Sequence, residues 1–203
     1  MDTKEYILIE AAKLFLQKSF KEVTTREIVV ATGLSKGAFY YHFESKEQLF
    51  REVLMYIATN VYAYHYDEYD QNSFQGFYRD YANEAIKNTG NFLKILNSTQ
   101  KEEELFINFF NLFFDALRLI PEFKHQVIPQ LEKELNIWKE SIKKARERNE
   151  IKSKMTDEQI ARLFINLGDG VSLHFIFISN GSLTDTINYF VELWDGIYEL
   201  IKN

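Results

Sequence analysis

Apolar residues along this chain return at intervals of three and four. Ile7, Ala11, Leu14 and Phe15 follow the i, i+4, i+7, i+8 spacing of one helical face, and Leu49, Val53, Tyr56 and Ile57 do the same. Near the C-terminus, Ile187, Phe190, Val191, Trp194, Ile197, Tyr198 and Ile201 trace one continuous stripe. Sustained period-2 alternation is absent, and no Asn-Gly is flanked by β-branched runs on both sides. The pattern predicts an all-α fold, with helices near 3–18, 25–32, 36–42, 46–65, 74–88, 102–119, 122–149, 157–179 and 184–201. Hydroxyl residues stand ahead of acidic or amide side chains at several starts: Thr24-Thr25 with Glu27, Ser45 before Lys46-Glu47-Gln48, Thr156 before Asp157-Glu158, and Thr184 before Asp185. Both prolines, Pro121 and Pro129, fall in one short stretch.

Composition adds limits. With 203 residues, 46% hydrophobic, 18 Phe and 12 Tyr, the chain supports a packed core of one large domain or two small ones and is far from a disordered composition. Having no Cys excludes a disulfide scaffold, a thiolate zinc site and a cysteine nucleophile, and it fits a reducing compartment. The start, MDTKEYILIE, lacks the basic flank and apolar core of a secretory signal, and no apolar stretch approaches the ~20 residues of a spanning helix. These features predict a soluble cytoplasmic protein with no membrane partner. No Gly-rich phosphate loop, His-Glu-x-x-His or nucleophile elbow occurs, and the histidines at 42, 65, 125 and 174 form no helix-spaced metal pair. Catalytic residues, metal ligands and a cofactor are therefore not expected, and the chain is not read as an enzyme.

The net charge of −6 argues at first against a nucleic-acid partner. Its distribution changes that. Residues 1–51 carry eight Lys or Arg against seven Asp or Glu, while the rest of the chain carries 16 against 23. The acidity belongs to the larger C-terminal part, and the N-terminal part is balanced.

The most informative stretch is Thr24 to Phe43, TTREIVVATGLSKGAFYYHF. Thr25 to Ala31 reads as a short helix with Ile28 and Val29 turned to a core. Thr32-Gly33-Leu34 reads as a tight turn in which Gly33 can take the left-handed conformation of a helix end. Ser35 then caps a second short helix, and Thr25 is read as a cap of the first. Two short helices about a Gly-containing turn make a helix-turn-helix, whose second helix enters the major groove of DNA. Phe39 and Phe43, four apart, point to that module's core.

These residues resemble the TetR/AcrR-type transcriptional regulators. The likeness is carried by Ile9-Glu10-Ala11-Ala12-Lys13-Leu14-Phe15, Phe20, Thr24-Thr25, Ile28, Ala31-Thr32-Gly33-Leu34-Ser35-Lys36-Gly37, Phe39-Tyr40-Tyr41-His42-Phe43 and Ser45-Lys46-Glu47 with Leu49, without a gap over about fifty residues. Val29-Val30 departs from the small residue usual beside the Ala. The resemblance implies a DNA-binding domain over 1–48 and a helical effector-binding and dimerisation domain over 49–203. It also implies that Ser35 to Phe43 is the recognition helix, with Ser35 among the DNA-binding residues and Lys36, Gly37, Ala38, Tyr40, Tyr41 and His42 towards DNA, and that Thr25 and Lys46 clamp the phosphate backbone. The residue types suit these roles. Gly37 and Ala38 lack bulk, an Ala methyl can meet thymine, Lys36 offers a cation, and Tyr40, Tyr41 and His42 can bond phosphate oxygens. Tyr40 or Tyr41 can equally cover the module's surface, and Lys46 can be an exposed charge.

Beyond residue 66 the resemblance is architectural. Phe106, Phe109, Phe110, Phe113 and Phe114 crowd one helix and cover more than one of its faces, so some of them should line a cavity or an interface rather than a core. With Trp138 and His174 they are the candidate lining of an effector pocket, and Asn108, Asn111 and Asp115 place polar groups nearby. The last two helices are implied to pair with a partner's in a four-helix dimer. Phe164, Leu167, Val171, Phe175, Phe190, Leu193, Trp194 and Ile197 are suitably spaced, and Gly168 and Gly170 permit close approach. The alternative for each is packing within one subunit.

The expectation is a homodimeric DNA-binding repressor. It reads an inverted repeat in double-stranded DNA and is released by a small apolar or aromatic effector, with the helix 46–65 as the lever. The competing reading is a helical small-molecule-binding or enzymatic protein in which the helix-turn-helix is only structural.

Overall fold

A computed structural model describes residues 2–61, 64–96, 102–178 and 183–203. Among these the fold is all-α: α1 (Thr3–Phe15), α2 (Thr25–Thr32), α3 (Lys36–His42), α4 (Lys46–Val61), α5 (Phe74–Leu96), α6 (Glu102–Leu119), α7 (Phe123–Glu147), α8 (Asp157–Ile178) and α9 (Leu183–Ile201), with a 3₁₀ turn at Tyr66–Glu68. An isolated antiparallel bridge joins Ile151 to Lys202.

Expected and observed helices differ mainly at their ends. The lever helix expected to reach residue 65 is described only to Val61, and a 3₁₀ turn stands at 66–68. Helix α5, expected to end near residue 88, continues past Asn88 and Gly90 to Leu96. Phe92 and Leu96 are buried in line with Phe74, Phe77, Tyr78 and Ala82, so burial along that face outweighs the weak helix propensity of Asn and Gly. Helix α7 carries Pro129 within its first two turns.

The chain divides into two compact units. One comprises residues 1–63 and 88–123, the other 64–87 and 124–203. The boundary expected after residue 48 falls inside the first turn of α4.

In the first unit, Ile7, Ala11 and Ala12 of α1 are fully buried, together with Ile28 of α2, Phe39 and Phe43 of α3, and Leu49, Phe50 and Val53 of α4. Phe15, Phe20 and Phe50 form a triangle with ring centroids 4.7–5.9 Å apart. Burying three such rings supplies a large share of the apolar stabilisation of a module this small.

The second unit is built on a larger aromatic core. Trp138, Phe74, Phe77, Tyr78, Phe164 and Trp194 are all buried. Trp138 sits within 5.2–6.0 Å of the rings of Phe74, Phe77, Tyr81, Phe164 and Trp194. The Trp194 indole N–H donates to the carbonyl of Phe164 at 2.8 Å, which fixes α9 against α8. A Cβ on Gly168 would lie 3.3 Å from the Trp194 ring. The small residue therefore lets α8 and α9 approach within one subunit, whereas Gly170 faces open space.

Candidate nucleic-acid interface

The helix-turn-helix is assembled by local chemistry. Thr24, extended at φ −102° and ψ 151°, accepts the Glu27 N–H, while the Glu27 carboxylate accepts from the Thr24 N–H and hydroxyl. The cap of α2 is thus Thr24, and Thr25, expected in that role, is the first helical residue. The difference follows from the three-residue spacing to Glu27 that a capping box requires. Lys18 bonds the same carboxylate at 2.6 Å; with the Thr24 bonds it holds the Glu27 carboxyl down at about 2. Gly33 ends α2 at φ 65°, ψ 9°, the left-handed conformation its sequence context predicts. Ser35 then caps α3 by accepting the Ala38 N–H at 3.1 Å.

Helix α3 has two different faces. Phe39 and Phe43 are 2% and 1% exposed, as their spacing predicts. Ser35, Lys36, Gly37, Tyr40 and Tyr41 are exposed, and Ala38 and His42 are half-buried. Tyr41 is 84% exposed, an unusual place for a large aromatic side chain with no packing duty. The Lys36 ammonium lies 5.8 Å from the centroid of the Tyr40 ring, and the Tyr41 ring stands edge-on to His42 at 4.9 Å. The outer face of α3 therefore offers a cation, two phenol hydroxyls, an imidazole and a stretch without bulk at its start. That set can bond phosphate oxygens and bring a backbone close to base edges.

Lys46 is placed differently from its expectation. Its ammonium donates to the carbonyl oxygens of Phe20 at 2.7 Å and Val23 at 2.6 Å, and it lies 4.2 Å from the Phe20 ring centroid. It is half-buried and tied to the α1–α2 connection, so its charge is spent inside the module. The Phe20 N–H is taken at 2.9 Å by the carboxylate of Asp115 in α6. The peptide groups around Phe20 are thus held from two sides, by α4 through Lys46 and by α6 through Asp115. Asp115 is legible in sequence as a carboxylate amid aromatics; its backbone partner, 95 residues earlier, is not.

The residues expected to line an effector pocket are distributed between the two units. In the first, Phe109, Phe110 and Phe113 are half-buried and Phe114 is 50% exposed, with the Phe113 ring 5.2 Å from Phe123. In the second, Trp138 is closed inside the aromatic core and His174 is exposed on α8. The side chains of Phe106 and Phe175 lie outside the described residues. A cleft of about 230 Å³ in the second unit is lined instead by α7 and α8, among them Leu131, Glu134, Leu135, Ile165 and Asp169.

Three residues expected at a dimer interface, Phe164, Phe190 and Trp194, are 0%, 5% and 1% exposed and belong to the core of their own unit. Leu167, Val171, Leu193 and Ile197 are half-buried. The outward rows of the same helices carry large apolar side chains that sequence spacing did not single out: Leu163, Leu173 and Phe177 on α8, Tyr189 and Leu200 on α9. A stripe that runs round a helix does not tell which part faces its own core.

Comparison with known proteins agrees with this architecture. Residues 7–53 match the model of the bacterial regulatory proteins, tetR family. The chain is similar to the HTH-type transcriptional regulator QacR of Staphylococcus aureus, 46% identical over 54 residues, which are 27% of this chain and 29% of that protein. It is also similar to AcrR of Shigella flexneri, 35% identical over 60 residues, or 30% and 28% of the two chains. The matched segment spans under a third of either relative's length. Over nearly the whole chain, the fold resembles a TetR-family regulator from Rhodococcus sp., with TM-score 0.69, 18% identity, and coverage of 96% of this chain and 98% of that one. It also resembles the ketosteroid regulator KstR2 of Mycobacterium tuberculosis, with TM-score 0.64, 17% identity, and coverage of 100% and 96%. Residues 7–53 are thus a helix-turn-helix domain that matches the tetR-family model. That domain belongs to the TetR family, and the rest of the chain has the helical fold of the family's solved members.

Proposed function

We propose that this chain is a sequence-specific DNA-binding transcriptional regulator, a homodimeric repressor that a small molecule releases from its operator. The observation that carries the reading is the two-faced α3, with Phe39 and Phe43 locked in the core and Lys36, Gly37, Tyr40 and Tyr41 left on the surface. Lys36, Tyr40, Tyr41, His42 and Ser35 position the helix on phosphates, and Gly37 and Ala38 allow its close approach to bases. Lys46 and the capping Thr24 hold the reading head rather than the DNA.

One seven-residue helix reads too few bases for specificity, so a second copy is needed. The outward apolar rows of α8 and α9, namely Leu163, Leu173, Phe177, Tyr189 and Leu200, supply the dimer contact, flanked by Leu167, Val171, Leu193 and Ile197. Among the described residues no helix is long and apolar enough to cross a membrane, and we place the protein with its DNA in the cytoplasm. Effector binding shifts a two-state equilibrium between operator-competent and released dimers. Coupling of about 1–3 kcal/mol changes operator affinity roughly 5- to 150-fold.

Titrating the purified protein against a selected duplex and a scrambled one at several salt concentrations tests the reading. Sequence-preferring binding that weakens steeply with salt is expected. Equal affinity for both duplexes would leave a helical ligand-binding protein with an ornamental helix-turn-helix.

A further inference from the structure

We propose that the connector leading from α4 into α5 is a pH-sensitive latch, closed by His65 on Glu84, and that its closure holds operator affinity higher at low pH than at high pH. The part that concerns DNA rests on the reading above; the latch itself does not.

His65 lies beyond Val61, the described end of α4, and opens the 3₁₀ turn Tyr66–Glu68. Its imidazole Nδ1 stands 2.6 Å from Glu84 Oε1 in α5. The His65 backbone N–H donates to the other oxygen of that carboxylate at 2.9 Å, and the Tyr69 hydroxyl donates to the same oxygen. One side chain of α5 thus gathers donors from both ends of the connector. The turn between them is closed by its own backbone, with the Glu68 N–H on the His65 carbonyl at 2.9 Å. Just ahead, Tyr64 stacks parallel on Tyr81 of α5 at 4.7 Å. Among the described residues Glu84 forms an ion pair with no Lys or Arg, so the charge that switches near neutral pH is the imidazole's.

The Glu84 side chain is 11% exposed and that of His65 58%. The carboxylate is sheltered, while the imidazole meets the solvent that titrates it. Burial alone would raise the Glu84 carboxyl, but the bonds from Tyr69 and His65 outweigh it and hold the group below its ordinary value. The hydrogen bond and the charge of Glu84 raise the His65 imidazole above its ordinary 6.5, and Glu68 and Asp67 of its own turn add to the rise. The neighbouring elements bring further acids: Glu134 of α7 acts on Tyr64 and Tyr66, and Asp169 of α8 acts on Tyr64. Lys87, further along α5, is exposed. With its value raised in the closed form, the imidazole stabilises closure fully below 6.5 and ceases to do so as pH rises through the raised value. A neutral imidazole still donates one N–H, so the latch weakens on deprotonation rather than disappearing.

A connector held at both ends leaves the chain that precedes it few arrangements. A loosened one multiplies them, and engaging two half-sites at a fixed spacing then costs more ordering. Operator affinity should therefore fall as His65 loses its proton.

The test uses the full chain, E84Q and H65Q, with helical content as the check on folding. E84Q keeps an acceptor for Tyr69 and removes the charge; H65Q alters a side chain exposed to solvent. In DNA-free protein, the His65 ring is followed by NMR through a pH titration, and its midpoint is expected to drop in E84Q. Amide exchange at residues 65–69, corrected for the intrinsic pH dependence, should be slower than in H65Q at about pH 6, and the difference should shrink by about pH 8.5. A midpoint unmoved by E84Q, or exchange equal in the two proteins at both pH values, overturns the latch. Operator affinity is then compared at the same two pH values. Its fall should be about fivefold larger in the wild type than in H65Q; His42 on the reading helix is common to both, so its own titration cancels. An equal fall defeats control of DNA binding by the latch. Absence of operator binding at either pH defeats the operator reading instead, while the NMR and exchange results still decide the latch.

Discussion

The helix-turn-helix and the aromatic core of the second unit solve the same problem by different means. The module spanning α1–α4 is small, and specific polar devices hold it: the Thr24–Glu27 capping box, the left-handed Gly33, and the Lys46 ammonium on two carbonyls. The second unit relies on bulk, with Trp138, Trp194, Phe74, Phe77, Tyr78 and Phe164 packed ring on ring. A polar device demands a particular residue at a particular place, whereas an aromatic core demands only volume and a helical period. The first kind leaves a sequence signature and the second does not.

Substitutions separate the two designs. Trp138→Ala should cost the most, about 3–5 kcal/mol in chemical denaturation, because it opens a large cavity in the second unit. A loss under 1 kcal/mol would mean that the ring stack is not what stabilises that unit. Lys46→Met keeps the aliphatic stem but strips Phe20 and Val23 of their charged donor. It should destabilise by about 1.5–3 kcal/mol and lower operator affinity only in proportion to unfolding. A large affinity loss in a fully folded variant would return Lys46 to the phosphate backbone.

Asp115→Ala leaves the half-buried Phe20 N–H without its acceptor, at a cost of about 1–3 kcal/mol. Hydrogen exchange should quicken at Phe20, and an unchanged rate would contradict the bond. At Gly33, alanine meets no atom within 4 Å, so the φ of 65° alone sets its cost, about 1 kcal/mol by thermal melting. Tyr41→Ala is the mirror image of Trp138→Ala. Stability should move by less than about 0.5 kcal/mol, as for a surface change, while operator affinity falls severalfold in a gel-shift titration.

The same contrast explains what could be read in advance. Helical period alone defined the all-α fold, and the stretch from Thr24 to Phe43 disclosed its turn, its Ser35 cap and its inward Phe39 and Phe43, because each depends on neighbours a few residues away. Which of Thr24 and Thr25 caps α2 depended on hydrogen-bond register, and the destination of Lys46 on a loop more than twenty residues earlier. In the second unit, Trp194 and Leu200 sit on one apolar helix, yet the first is 1% and the second 84% exposed. Spacing separates them, since Trp194 lies on the stripe from Ile187 to Ile201 and Leu200 falls off it; what spacing left open is whether that stripe meets its own core or a partner. Glu134, inside the charged run Leu131-Glu132-Lys133-Glu134-Leu135, carried no signal at all, because its surroundings are contributed by Tyr81 and Asp169.

The measurement that bears most directly on the central claim is selection of bound sites from random duplex DNA by the purified protein at near-physiological salt. An inverted repeat is predicted, its half-sites about one helical turn apart as two α3 helices of a dimer require. A correctly folded dimer that enriches no site would contradict the account.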